Sequence, residues 1–490
     1  MTVANNNGRP VGRLLQLAQN VWTLAGVILT TVSGVLLAVF IIAGAAGELR
    51  NPYTGIFAFL ILPGIFAIGL VMIPIGMLLR RRRLRRAAEH GDEAPPAYPR
   101  IDLNIKPVRR AVFWVALLTL ANAVLLGSAT YLGVHHMETV EFCGETCHTV
   151  MQPEFTAYQQ SPHSRVACVE CHIGPGASWF VRSKLDGLRQ VWHTAFDTFE
   201  RPIHTPLRTL RPARETCEQC HWPGKHHGDK VRLLARFRAD EANSAAYSAM
   251  LVKTGGGSLD LGRHGGIHWW HIESDNRIRF VAADDRREEI VWVELTTPGG
   301  EVRVYRRDPE DLPDAATIDA EARIMDCVDC HNRPTHRFPT PERAMDQVLL
   351  DHAELRSLPY YKREAVRGIR GEYATREQGI RAVERALLEF YAAESPDLRS
   401  TDADLVERGA ALASTVYGRL VFPEMDTNWE THPNHIGHDD FPGCFRCHDG
   451  EMVTADDEHV IPLDCETCHV FLVEDAASPP DLASIELTWE

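Results

Sequence analysis

The chain has 490 residues, 45 % of them hydrophobic and 24 % charged, with a formal net charge of −15. That length suits two or three domains, and the composition excludes wholesale disorder. Residues 1–110 carry 13 Lys/Arg against 5 Asp/Glu (net +8) and the remainder 38 against 61 (net −23), which argues against nucleic acid and fits either plain solubility or a basic partner.

Three apolar stretches come first, at about 20–46, 53–79 and 111–133. Each exceeds the ~20 residues needed to cross a bilayer, and none has a charge in its central part. Arg9 and Arg13 precede the first like the start of a signal peptide, but its apolar core is too long for one, so a retained anchor is expected. The second and third flank Arg80-Arg81-Arg82-Arg83-Leu84-Arg85-Arg86, followed by Lys106, Arg109 and Arg110. A loop this basic stays cytoplasmic. The expectation is a three-span anchor over residues 1–133 in a bacterial cytoplasmic membrane. Its N-terminus would be inside, and everything after about residue 134 on the outer, periplasmic face.

All twelve cysteines fall into six pairs, each followed at once by histidine. They are Cys143/Cys147-His148, Cys168/Cys171-His172, Cys217/Cys220-His221, Cys327/Cys330-His331, Cys444/Cys447-His448 and Cys465/Cys468-His469. Five read C-x-x-C-H, the attachment signature of haem c, in which two thioethers hold the porphyrin and the histidine ligates the iron. The first, CGETCH, has one extra residue between its cysteines. Disulfides do not explain the trailing histidine, and a structural zinc site needs four ligands where each motif offers three. Six covalently bound haems are expected.

The motifs divide the exported part. Residues 134–225 hold the first three, and 226–320 read as a β-rich insertion. Its strands are Arg277–Ala283, Glu289–Thr296 and Glu301–Arg306, with Pro298-Gly299-Gly300 as a turn. Residues 321–340 carry the fourth motif. Residues 341–430 read as helices, with starts at Thr340-Pro341 and at Thr375-x-x-Gln378. Residues 431–490 carry the last two motifs. The fold class expected is a multihaem cytochrome c: three N-terminal transmembrane helices, then a haem-packed, mainly α exported part of low regular structure with a small β insertion.

The segments FCGETCHTVMQPEFTAY, SPHSRVACVECH, SKLDGLRQV, RETCEQCH and MDCVDCHNRPTH resemble the NapC/NirT family of membrane-anchored multihaem cytochromes, which oxidise membrane quinols. The sequence departs from the family in its expanded first motif, the β insertion, two further haem motifs and two added spans. The resemblance implies His336 as distal ligand of the second haem and His163 of the third. It also implies a methionine ligand near the first motif, where Met151 lies three residues after His148 instead of two. A core methionine is the plain alternative.

Seventeen histidines lie outside the motifs. His432, His435 and His438 crowd before the fifth motif, and His435 and His438 are the expected distal ligands for haems five and six. His268 and His271 flank two tryptophans, and one of them, His268 foremost, is a candidate for haem four; a half-buried strand is the alternative. Residues 177–196 repeat Val181, Leu185, Leu188, Trp192 and Phe196 at helical spacing. That suits a helix at the outer membrane interface, or else one facing a core. Lys184, which matches a family lysine, and Asp186 are the candidate quinol-holding and proton-accepting groups, with His135 and His136 as rivals. The reading is a quinol-oxidising electron-transfer protein that hands electrons to a periplasmic redox partner or to other subunits of a respiratory complex. The alternatives are a relay without its own quinol site and a terminal reductase.

Overall fold

The computed structural model describes residues 17–18, 20–45, 61–89, 102–146, 148–174, 176–206, 211–222, 228–256, 265–272, 276–308 and 313–481. They form two units that divide after Thr146.

The first unit has three helices long and apolar enough to cross a membrane: α1 (Val21–Ala45), α2 (Leu62–Glu89) and α3 (Lys106–Met137). Part of the second expected span, residues 53–60, lies outside the described residues. The arginine run, expected in a loop, instead prolongs α2, because Leu, Arg and Ala are all strong helix formers. Lipid gives no hydrophobic drive for helix association, so close backbone approach has to supply it. A Cβ on Gly69 would lie 2.6 Å from Thr30 Oγ1, and one on Gly76 2.5 Å from Thr23 Oγ1. Thr23 Oγ1 donates to the Ile73 carbonyl at 3.3 Å. Leu37, Leu62, Phe66 and Ala129 are buried between the helices, while Val21, Leu24, Val32, Ile68 and Val71 point outward.

The second unit begins with α4 (His148–Gln159), α5 (Cys168–His172), α6 (Ala177–Ala195) and α7 (Ala213–Cys217). No described residue between Ser161 and Pro206 is buried, so this stretch has no apolar core of its own. Two sheets follow. In the smaller, β1 (Lys230–Phe237) pairs antiparallel with β2 (Ala245–Val252), which pairs with β8 (His469–Ala476). The larger has the order β6-β3-β4-β5-β7, formed by Arg323–Ile324, Arg277–Ala282, Ile290–Thr296, Val302–Arg306 and Val453–Thr454. Gly300, at φ +81°, closes the β4–β5 turn with its N–H on the Thr297 carbonyl. The β region is therefore not self-contained. Strands from the last sixty residues complete both sheets, covering edges that would otherwise be left unpaired. The short helix α8 (Gly266–Ile272) lies between β2 and β3, α9 (Ala315–Glu321) between β5 and β6, and the one-turn α10 (Cys327–Cys330) follows β6.

The remaining helices are α11 (Pro341–Asp351), α12 (Tyr361–Ile369), α13 (Arg376–Glu394), α14 (Pro396–Thr401) and α15 (Ala403–Leu420). Thr375 caps α13 by accepting the Gln378 N–H. Met345, Leu349, Tyr361, Leu387, Val406 and Tyr417 belong to one fully buried apolar core. Buried Lys362 ties this bundle to β1: its Nζ donates to the Phe237 carbonyl at 2.6 Å and to Asp346 Oδ1 at 2.5 Å.

Glycine in a helix normally gives way to alanine with a gain of about 0.5–1 kcal/mol. At Gly379 the added Cβ would lie 2.1 Å from the fully buried Tyr417 ring, whereas at Gly368 it would meet Val383 at an ordinary 3.5 Å. Gly379→Ala is expected to destabilise by about 1–3 kcal/mol through overpacking and Gly368→Ala to stabilise. Denaturant unfolding of the purified protein reads both. Equal midpoints for the two variants would refute the tight α13–α15 contact.

Candidate functional site

The eleven described motif cysteines are free thiols, so the disulfide reading has no support in the structure. Cys143 sits in the turn Phe142–Thr146. Cys147 and the side chain of His148 lie outside the described residues. Met151 is half-buried on α4, three positions on from His148.

The other five motif histidines each face a second imidazole from a different segment. Ring centres are 5.9 Å apart for His221 and His163, 6.2 Å for His172 and His336, and 6.4 Å for His331 and His268. They are 5.8 Å apart for His448 and His271, and 6.1 Å for His469 and His438. Metal–imidazole nitrogen bonds of about 2.0–2.1 Å, with about 1.2 Å from nitrogen to ring centre, put two imidazoles on opposite sides of one metal ion about 6.3 Å apart. The five separations, 5.8 to 6.4 Å, lie close to that value. The donor set therefore fits five irons ligated by histidine on both sides.

Several rings are oriented by a carbonyl behind them. The Nδ1–H of His336 donates to the Glu154 carbonyl at 3.0 Å, that of His271 to Ile267 at 2.7 Å, and that of His448 to Pro462 at 2.8 Å. His268 makes a longer contact with the Gly255 carbonyl, 3.3 Å. Such bonds fix the tautomer whose Nε2 is free to ligate. Burial pushes His271 down to about 4, so it is neutral near pH 7, the form that binds metal. Tyr158 Oη donates to the Ser164 and Val166 carbonyls at 2.8 and 3.0 Å, holding the loop that carries His163.

The sequence offers His271 only as the second choice, after His268, for the fourth motif, whereas in the structure it faces the fifth. It shares the seven-residue α8 with His268, three positions apart and so on neighbouring faces, which lets one short helix serve two motifs. The run Gly266-Ile267-His268-Trp269-Trp270-His271, taken as a helix instead of a strand, was the signal that could have found it. His435 differs from expectation in the other direction. Among the described residues it faces no motif ring. It is 4 % exposed, neither ring nitrogen makes a hydrogen bond of normal geometry, and the Asp329 and Arg286 carbonyls lie close. Burial, and then Arg446, push it down to about 4. Its backbone N–H bonds Asn332 Oδ1 at 3.0 Å, and Asn332 Nδ2 donates to the Pro433 carbonyl at 2.7 Å, latching this loop to the fourth motif.

Successive motifs adjoin in space. Cys171 is an electrostatic neighbour of Cys217 and Cys220. The Cys217 and Cys327 sulfurs are in hydrogen-bond contact. Cys330 neighbours Cys444 and Cys447, and Cys468 neighbours Cys444. Motifs two to six thus form an unbroken series in sequence order. Between the fourth and fifth, Asp329 (1 % exposed) accepts from Arg287 at 3.0 Å and Arg323 at 2.8 Å, and Arg446 donates to its carbonyl at 2.7 Å.

On α6 the apolar face is exposed: Val181 56 %, Leu185 66 %, Leu188 66 % and Trp192 62 %. This is not a core-facing helix. Lys184 Nζ lies over the Phe180 ring at 4.8 Å. Lys184 and Asp186 are two positions apart, about 200° around the helix, so the structure does not bring them onto one face. In the first unit, the His136 and Phe142 rings meet edge-on at 5.5 Å, one residue before Cys143.

A model of the N-terminal region of the NapC/NirT cytochrome c family matches residues 106–221. The cytochrome c-type protein ImcH of Geobacter sulfurreducens is 38 % identical over 460 residues, 94 % of this chain and 89 % of that protein. The cytochrome c-type protein TorC of Escherichia coli is 31 % identical over 135 residues, 23 % of this chain and 34 % of that protein. No solved structure matches.

If the facing rings are iron ligands, His271→Ala should turn one haem high-spin without loss of its thioethers, because attachment uses the cysteines and proximal histidine only. His435→Ala should leave every haem low-spin. The visible and paramagnetic resonance spectra of the two variants check this, and the opposite pattern would restore His435 as a ligand.

Proposed function

Because the chain belongs to the NapC/NirT family of membrane-anchored multihaem c-type cytochromes, we propose that it oxidises membrane quinol and passes electrons one at a time through six covalently bound haems to a redox protein outside the cytoplasmic membrane. Haem c, when bound, supplies reversible one-electron chemistry at iron. The protein's part is ligation, orientation and tuning. The observation that carries the reading is the set of five facing histidine pairs. An iron held by histidine on both sides has no open position for a small substrate, which favours electron transfer over terminal reduction. The proposed ligand pairs are His172 with His336, His221 with His163, His331 with His268, His448 with His271 and His469 with His438. His148, with Met151 as candidate second ligand, would serve the first haem.

Direction follows from the chain. Quinol arrives from the bilayer, so entry is assigned to the first motif, just past α3, and exit to the last two. Residues 431–490 carry 14 Asp/Glu against a single Arg, and that Arg446 is buried. Such a field attracts a basic redox protein and speeds its encounter at low salt. The arginines at the end of α2 support a cytoplasmic α2–α3 connection, with residues beyond about 140 outside. Proteolysis of intact spheroplasts should then remove that region, and its protection would overturn the topology.

The exposed apolar face of α6 suits a helix resting at the outer membrane interface. Lys184, beside Phe180, is the proposed holder of the quinol headgroup; Asp186, on the other face, is the proposed outlet for the protons released. Lys184→Ala with Asp186→Asn should leave all haem spectra and dithionite reduction intact. Reduction by a menaquinol analogue should slow by ~10²–10⁴-fold, the usual contribution of a positioned acid or base. Wild-type rates would move the site to His135 and His136. A wild-type protein that quinol cannot reduce at all would make the chain a relay fed by another subunit.

A further inference from the structure

Motif spacing does not single out Glu154, yet its carboxylate lies directly against one of the facing rings. Its side chain is 14 % exposed, and Arg333, 8 % exposed, donates to both carboxylate oxygens at 2.9 Å. Arg333 Nε also donates to the His336 carbonyl at 2.7 Å. On the other side, His336 Nδ1 donates to the Glu154 carbonyl at 3.0 Å and lies 3.2 Å from Glu154 Oε2. The same residue therefore presents its carbonyl and its carboxylate to one imidazole nitrogen. Burial alone would push the Glu154 carboxyl up, but Arg333 and then His336 hold it below the ordinary carboxylate range. His432, the next charged or titratable neighbour, is hydrogen-bonded to Thr205 Oγ1 at 3.0 Å. Burial, and then Arg333, push it down to about 4, so it adds no charge near neutral pH.

A buried ion pair is a poor source of stability, because desolvation cancels most of the attraction and apolar replacements of the same volume do as well. Its placement against a ring that faces a motif histidine points elsewhere. We propose that Glu154 is a positioning and tuning residue for His336. It fixes the tautomer in which Nε2 points at the iron, and its negative charge lowers the reduction potential of the haem that His172 and His336 would share. The proposal rests on the ligand pairing given above. The physical argument is direct. A carboxylate in contact with the ligand's N–H increases the donor strength of the imidazole, and in a weakly screened interior it stabilises the more positive ferric state. Arg333 offsets part of that charge while its two-pronged bond keeps the carboxylate in place.

The test is a redox titration of the full-length holoprotein, followed by visible absorbance and paramagnetic resonance. Glu154→Gln keeps the size and removes the charge. All haems should stay attached and low-spin, while one haem becomes easier to reduce by about tenfold in equilibrium constant, ~59 mV for one electron. Glu154→Asp should return that haem toward the wild-type value. Arg333→Gln, which leaves the carboxylate uncompensated, should move the same haem the opposite way. A merely structural salt bridge predicts lower stability in both glutamine variants with every midpoint unchanged, and that result overturns the proposal, as does a shift of the same sign in both. If Glu154→Gln fails to fold, the sign of the Arg333→Gln shift alone decides. His336→Ala separates the two levels of the argument. If it leaves every haem low-spin, the ligand pairing has failed; if it produces a high-spin haem and Glu154→Gln shifts nothing, only the role of Glu154 has failed.

Discussion

Setting two imidazoles from different segments about 6 Å apart, five times over, is the constraint around which the second unit is organised. No regular secondary structure meets it, because the two rings of each pair come from different segments. His336 lies on the loop after the fourth motif yet faces the second; His271 lies on a short helix before β3 yet faces the fifth. The chain meets the demand by interleaving its segments. Its last strands enter sheets begun more than a hundred residues earlier, and β8 starts at a motif histidine, His469, opposite Val252. Strand register at that point and ring placement are one constraint.

Close approach of successive motifs has an electrostatic cost that the polypeptide manages locally. Between the fourth and fifth motifs, Arg287 and Arg323 flank the buried carboxylate of Asp329 while Arg446 donates to its backbone carbonyl, three guanidiniums about one acidic residue. Burial, with Arg323 next, lowers the Arg287 affinity for its proton, although Asp329 opposes it. Around Glu154 and Arg333 the charges balance. At the C-terminal end the field is strongly negative. Charge in weakly screened surroundings moves a redox equilibrium, so haems held at these three places as proposed would be pushed in different directions even with chemically alike ligands.

Which parts of this were legible in the sequence follows from where each signal lives. The motif cysteines and the three apolar spans are local patterns and could be read directly. His163 and His336 face the motif rings that family resemblance implies, since the segments carrying them match as short runs. That His271 faces the fifth motif and not the fourth depends on α8 being a helix, and a seven-residue stretch with two tryptophans reads equally well as a strand. His435 and His438 are indistinguishable in sequence, three residues apart in one loop. Burial under Arg446 and the Asn332 latch separate them, and both are long-range facts. The same holds for the two sheets: β3, β4 and β5 announce themselves by composition, but nothing local in 453–454 or 469–476 says which strand they join. Lys184 and Asp186 were grouped by proximity in sequence, where helical geometry puts them on different faces.

Three kinds of cohesion hold the molecule, and their division explains its sequence. In the first unit small residues let α1 and α2 touch backbone to backbone, the device available where lipid removes the hydrophobic drive. In residues 341–422 a buried aliphatic and aromatic core holds helices in the ordinary way. The stretch from Ser161 to Pro206, which includes His163 and the second motif and runs toward the third, has no buried residue among those described. Haem held as proposed, by thioethers at Cys168 and Cys171 and by coordination at His163 and His172, would supply the order that an apolar core does not. Bonds made only in the folded chain stabilise it, and a covalent tether would make such coordination intramolecular and so independent of dilution. The apolar bundle therefore gives the second unit a part that holds itself together, and the motif segments would be made rigid by coordination in the proposed reading. A change at a single facing pair would then loosen a local segment and leave the bundle standing, so charged groups such as the Glu154–Arg333 pair can lie beside the rings without putting the whole fold at risk.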